Sequence, residues 1–141
     1  MQAKSRLLLL SSSRTPGRGY LEHAREPIRA FLGPGVRRLL FIPYASVGRS
    51  YQEMTGRVRE ALEGLGYEVI GLHDAPDPVG ALRAAEAVAV SGGNTFRLLH
   101  ELYRRNLLDV LRDRVRAGLP YLGISAGSNV ACPTMQTTND M

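Results

Sequence analysis

The residues best suited to covalent chemistry are Gly123-Ile124-Ser125-Ala126-Gly127. They follow a short apolar run, Leu119 to Leu122, and lead into small residues that a helix accepts. Gly-x-Ser-x-Gly between a strand and a helix is the pattern of a nucleophile elbow. The reason is steric. A nucleophilic serine must stand clear of the sheet on a tight, strained turn, where side chains two residues before and after it would collide. The helix that follows aims its free N–H groups at the same point, where an oxyanion would form. The same pattern also fits an ordinary glycine-rich turn with an exposed serine.

A second loop has related properties. Ser91-Gly92-Gly93-Asn94-Thr95 joins an apolar run to a helical one. It lacks the Gly-Lys-Ser/Thr ending of a phosphate-binding loop and the spacing of a dinucleotide fingerprint. Paired glycines let backbone N–H groups approach a ligand unobstructed. An oxyanion hole needs the N–H after the nucleophile, here Ala126, and one from a neighbouring loop. Gly93 is placed to supply the latter, with Asn94 beside it; a plain tight turn is the alternative. A serine also needs a base, normally histidine. His23 lies in a helical stretch, His100 in another, and only His73 ends a strand. No His/Cys/Asp/Glu spacing resembles a metal site, so no metal and no cofactor is expected.

The elements that must position these residues alternate regularly. Apolar runs at Arg6 to Ser11, Arg38 to Ile42, Tyr67 to Leu72, Ala87 to Val90 and Tyr121 to Gly123 read as strands. Helical spacing fills Tyr20 to Leu32, with Pro27 as a kink or restart, and Tyr51 to Leu65. Asp77 caps a short helix from Pro78; Asn94 or Thr95 caps one from Phe96 to Arg104; Leu107 to Arg116 is a further helix. Alternation of this kind predicts βαβ units, right-handed crossovers and a parallel sheet covered on both faces. Small polar residues follow the strands, at the edge where ligands of such sheets bind.

Composition narrows the partners. The chain has 141 residues, the size of one domain spanning 1–141, and 44% hydrophobic content, which suits a globular protein. Net charge is +5, with Lys4 the sole lysine. The arginines are dispersed among acidic residues and not interleaved with aromatics, which argues against nucleic acid. Cys132 is alone, so no intrachain disulfide can form. Four consecutive leucines near the start are too few for a signal-peptide core, and nothing later is apolar enough for a membrane span. A cytoplasmic location is expected, with no membrane partner.

Several motifs together resemble the peptidase E family, the α-aspartyl dipeptidases of the S51 serine peptidases. They are Leu7-Leu8-Leu9-Leu10-Ser11, Phe41-Ile42-Pro43-Tyr44-Ala45, Gly92-Gly93-Asn94-Thr95-Phe96, the elbow, and Ala131-Cys132-Pro133-Thr134-Met135-Gln136-Thr137-Thr138-Asn139-Asp140-Met141. The resemblance runs in order along the whole chain. It implies a three-layer α/β sandwich like the class I glutamine amidotransferase domain (flavodoxin-like), incomplete at its C-terminal end. It implies Ser125 as nucleophile and Asp140 as the acidic relay residue. Gly93 and Ala126 would supply the oxyanion N–H groups, and a small dipeptide with N-terminal aspartate would be the substrate. A homodimer is compatible with it.

Family members are longer, and their histidine base lies beyond the aspartate. The alternative is therefore a shortened, inactive relative that acts as a binding protein. An α/β-hydrolase esterase shares the elbow but not the Gly92-Gly93-Asn94 loop or the tail. With the last strand short of cover, apolar surface is expected around Leu119, Leu122 and Val130. The 141-residue polypeptide by itself is expected not to hydrolyse Asp-dipeptides, because an unactivated serine hydroxyl is a poor nucleophile. Purified chain, checked for folding by circular dichroism, should match its Ser125→Ala variant on Asp-Leu; a Ser125-dependent rate would overturn this.

Overall fold

The computed structural model describes residues 6–10, 25–46, 48–90 and 94–124. Five strands alternate with helices in chain order: β1 (Arg6–Leu10), α1 (Arg25–Leu32), β2 (Arg38–Ile42), α2 (Tyr51–Glu63), β3 (Glu68–Gly71), α3 (Pro78–Ala84), β4 (Val88–Val90), α4 (Thr95–Arg104), α5 (Leu108–Arg116) and β5 (Pro120–Ile124). A 3-10 turn at Leu72–Asp74 follows β3. All strand pairs are parallel, in the order β1-β5-β4-β2-β3. This is an α/β, flavodoxin-like architecture with helices on both faces.

Strand alternation assigns the two cores. Leu40, Ile42, Val88, Val90 and Tyr121 face α3, α4 and α5, whose Leu82, Leu98, Leu102, Leu111 and Val115 cover them. Leu39, Phe41, Val69, Ala89 and Leu122 face α1 and α2, meeting Ile28, Leu32, Val58 and Leu62. A strand covered on both sides must be apolar at successive positions, which is why these runs are continuous rather than alternating.

Local chemistry sets the helix ends. Ser50 and Glu53 form a reciprocal capping box on α2: Glu53 N–H donates to Ser50 Oγ at 3.0 Å and Ser50 N–H to Glu53 Oε1 at 3.4 Å. Gly80 N–H donates to Asp77 Oδ1 at 3.1 Å, with Pro78 opening α3. Pro27 falls in the first turn of α1 as described, where its missing N–H costs nothing; residues 20–24 lie outside the described residues. The C-terminal carbonyls of α3 are met from α5: Arg114 donates to Leu82 O at 3.4 Å and Ala85 O at 2.7 Å. Arg59 of α2 reaches the carbonyl of Val69, at 3.2 Å, on edge strand β3.

One expectation is corrected. β5 is an interior strand, hydrogen-bonded to β1 on one side and β4 on the other. Leu119 and Leu122 are therefore buried rather than exposed; Val130 lies outside the described residues. Among the described residues no helix is long and apolar enough to cross a membrane.

Phe41 is fully buried in the α1/α2 core. Phe41→Ala should lower unfolding free energy by about 3–5 kcal/mol, the usual cost of such a cavity. Urea titration should show a lower midpoint with little change in slope.

Candidate functional site

The carboxyl ends of the five strands form one edge, at Leu10, Ile124, Val90, Ile42 and Gly71 in spatial order. Neighbouring strands β2 and β4 then diverge. The chain leaving β2 enters α2 on one face, while that leaving β4 enters α4 on the other. Such a reversal opens a crevice where ligands of parallel sheets bind. β5 borders it, and its last residue, Ile124, immediately precedes Ser125.

The sequence-derived candidates fall as follows. Ser125, Ala126, Asp140 and Gly93 lie outside the described residues, as does His23. Asn94 is described. Its N–H donates to Ala45 O at 2.9 Å, and its Oδ1 accepts from Arg97 N–H at 3.0 Å as the N-cap of α4. Its carbonyl accepts from Leu98 N–H at 3.1 Å, so its N–H, C=O and Oδ1 are all committed to the fold. Between the two cap candidates, Asn94 is the cap.

His73 does not meet β5. It sits in the 3-10 turn after β3, three strand spacings from β5, about 14 Å in a sheet. Proton transfer needs about 3 Å. Its ring packs edge-on to Tyr51, with centroids 5.8 Å apart. A Cβ on Gly71 would stand 2.5 Å from its Cε1, so the ring would have to shift to admit a larger residue there. Both ring nitrogens are buried without a hydrogen-bond partner; Nε2 is 3.5 Å from Asp74 Oδ2 but lacks the alignment of a hydrogen bond. Asp74 is held instead by Gln52 at 2.8 Å. His100 is exposed on α4.

The crevice wall contains a cluster that sequence reading passed over. Tyr44, just past β2, is fully buried, and its hydroxyl has no partner. Its ring meets Tyr51 edge-on at 5.4 Å, and the Arg105 guanidinium lies over it at 4.7 Å from the centroid. Burial raises the phenol's pKa, opposed by Arg105, so it stays protonated. Arg105 is itself held by Glu101 at 3.0 Å, and Arg104 reaches the same carboxylate at 2.9 Å. Hydrogen bonding from Arg104, with Arg105 adding to it, brings Glu101 down to about 2 against burial. The Glu101/Arg104/Arg105 spacing of three and four residues was a readable signal for this ion cluster.

Among the described residues no three His, Cys, Asp or Glu side chains converge as metal ligands. A cavity of about 520 Å³ opens at the other end of the sheet, between Arg29, Gly33, Arg37, Leu65 and Tyr67, remote from Ile124.

Comparison with known proteins adds to this geometry. The model of peptidase family S51 matches residues 7–141. The chain is 52% identical over 135 residues to peptidase E of Streptomyces coelicolor, covering 96% of this chain and 54% of that protein. It is 51% identical over 143 residues to a Drosophila melanogaster protein named "Probable alpha-aspartyl dipeptidase", covering 100% of this chain and 59% of the relative. The chain thus spans little more than half the length of these relatives. In structure it resembles a Listeria monocytogenes protein assigned to peptidase E, with TM-score 0.69 and 26% identity over 98% of this chain and 70% of that one. A peptidase from an acI-B1 Actinobacterium superposes with TM-score 0.68 at 25% identity, over 92% of this chain and 57% of that one.

The Glu101 cluster makes a pH prediction. A carboxylate depressed in the folded state stabilises fully above its unfolded value, 4.5, and loses that contribution as pH falls toward about 2. Wild type should therefore lose stability more steeply across this window than Glu101→Gln. Chemical denaturation at stepped pH values measures the two slopes, and equal slopes would refute the assignment.

Proposed function

The chain belongs to peptidase family S51, and we propose that it carries the nucleophile and oxyanion donors of a serine dipeptidase that cleaves after an N-terminal aspartate. The observation that carries this reading is the placement of β5. It is an interior strand ending at Ile124, beside the crevice between β2 and β4, and the elbow serine is the next residue. The elbow pattern demands such a strand. The names of the relatives supply the substrate class.

In this mechanism Ser125 Oγ attacks the carbonyl carbon of the scissile peptide bond while its proton passes to a histidine base. Asp140 orients that histidine. The carbonyl oxygen becomes an oxyanion, held by the N–H groups of Gly93 and Ala126; one such donor is worth about 10²–10³ in kcat. Collapse expels the amine of the second residue, which takes the proton from the histidine. Water then cleaves the aspartyl ester on Ser125 by the same route in reverse. The three-strand separation of His73 from β5 argues against that residue as the base. Asn94 supports the donor loop through its cap and its bond to Ala45.

The test is hydrolysis of Asp-Leu by the full-length gene product and its Ser125→Ala variant. Turnover should fall by at least about 10³-fold with the fold retained. Asn-Leu, which lacks the substrate carboxylate, should be a poor substrate. Persistent turnover by Ser125→Ala would refute the assignment.

A further inference from the structure

Helix α4 is held at both ends by two adjacent residues of one turn. At its start, the N–H of its cap residue Asn94 donates to the carbonyl of Ala45 at 2.9 Å. Beyond its last turn, the guanidinium of Arg105 lies 4.7 Å from the centroid of the Tyr44 ring. The helix has ten residues and is about 15 Å long. Neither end is free to adjust. Arg105 is fixed by Glu101 at 3.0 Å. Tyr44 is wedged against Tyr51 at 5.4 Å and is fully buried. The turn itself is closed by Ser46 N–H to Pro43 O at 3.0 Å and by Ser46 Oγ to Arg49 O at 2.9 Å.

We propose that Tyr44 and Ala45 form a two-point clamp that sets the axial position of α4, which makes Tyr44 a positioning residue for Asn94, the cap at the start of that helix. A cation over an aromatic ring resists sliding of the helix along its axis, and the backbone hydrogen bond anchors the entering chain. Gly93 precedes Asn94 directly, so an error in the helix start is transmitted to the N–H proposed to hold the oxyanion. The ring is what matters here. The hydroxyl finds no partner in the clamp. This consequence for catalysis rests on the dipeptidase reading; the clamp itself does not.

The test combines amide hydrogen exchange with kinetics on the full-length gene product. Tyr44→Leu removes the ring and keeps an apolar side chain, Tyr44→Phe keeps the ring, and Arg105→Gln removes the cation from a partly exposed side chain. Tyr44→Leu and Arg105→Gln should speed exchange at the Asn94 amide by about tenfold or more, while the Leu40 amide, bonded to Ala87 O inside the sheet, stays protected. Tyr44→Phe should exchange like wild type. Tyr44→Leu should lower kcat by up to about 10²-fold with little change in KM, and Tyr44→Phe should restore it. The clamp is overturned if Asn94 exchange is unchanged in both Tyr44→Leu and Arg105→Gln. It is equally overturned if Leu40 exchange rises as much as Asn94 exchange, or if Tyr44→Phe behaves as Tyr44→Leu. Ser125→Ala is run in parallel. If it retains turnover, the dipeptidase reading falls, and the exchange data decide the clamp by themselves.

Discussion

Strands β2 and β4 lie side by side but send their chains to opposite faces of the sheet, and one backbone hydrogen bond spans the gap this opens. It runs from Asn94 N–H to Ala45 O, at 2.9 Å. It ties the turn after β2 to the start of α4. A backbone hydrogen bond of this kind is modest in net energy, about 1 kcal/mol, but specific in geometry.

The rest of the fold supplies rigidity around that crevice. Each interior strand is buried on both faces, so its side chains pack into two separate cores, one under α1 and α2, the other under α3, α4 and α5. The small Ala89 of β4 sits opposite the bulky Phe41 of β2 on the same face, with Ala87 just before β4 in the same core. That pairing of small with large lets the helices approach the sheet without voids. The register of β2 against β4 is further pinned at its other end, where Glu86 accepts from Arg37 N–H at 2.9 Å and Arg38 N–H at 3.3 Å.

The arginine-rich composition has a structural use. Arg114 satisfies carbonyls at the end of α3, Arg59 covers a carbonyl on the edge strand, Arg6 donates to Phe31 O at 2.8 Å, and Arg105 stacks on Tyr44. In each case the planar guanidinium supplies several donors in a fixed fork or a flat face, which an ammonium cannot. These four guanidinium groups are thereby spread over helix ends, strands and loops.

The sequence by itself determined the strands, the helices and most of the helix caps. Those depend on periodicity, on Gly and Pro, and on side chains within four residues of the backbone they serve, as at Asp77 and Asn94. The capping box at Ser50 and Glu53 was equally readable. The glycine elbow and the motifs shared with S51 peptidases were legible for the same reason, being contiguous. Strand order was not. Nothing local states that β5 inserts between β1 and β4, and the expectation that Leu119 and Leu122 would be exposed failed on that point. The separation of His73 from β5 likewise follows from its strand's place at the edge. The union of Tyr44, Tyr51 and Arg105 joins residues far apart in the chain, through ring faces and a guanidinium that leave no periodic trace. Such contacts exist only once the sheet has brought β2, α2 and α4 together, so only the tertiary structure decided them.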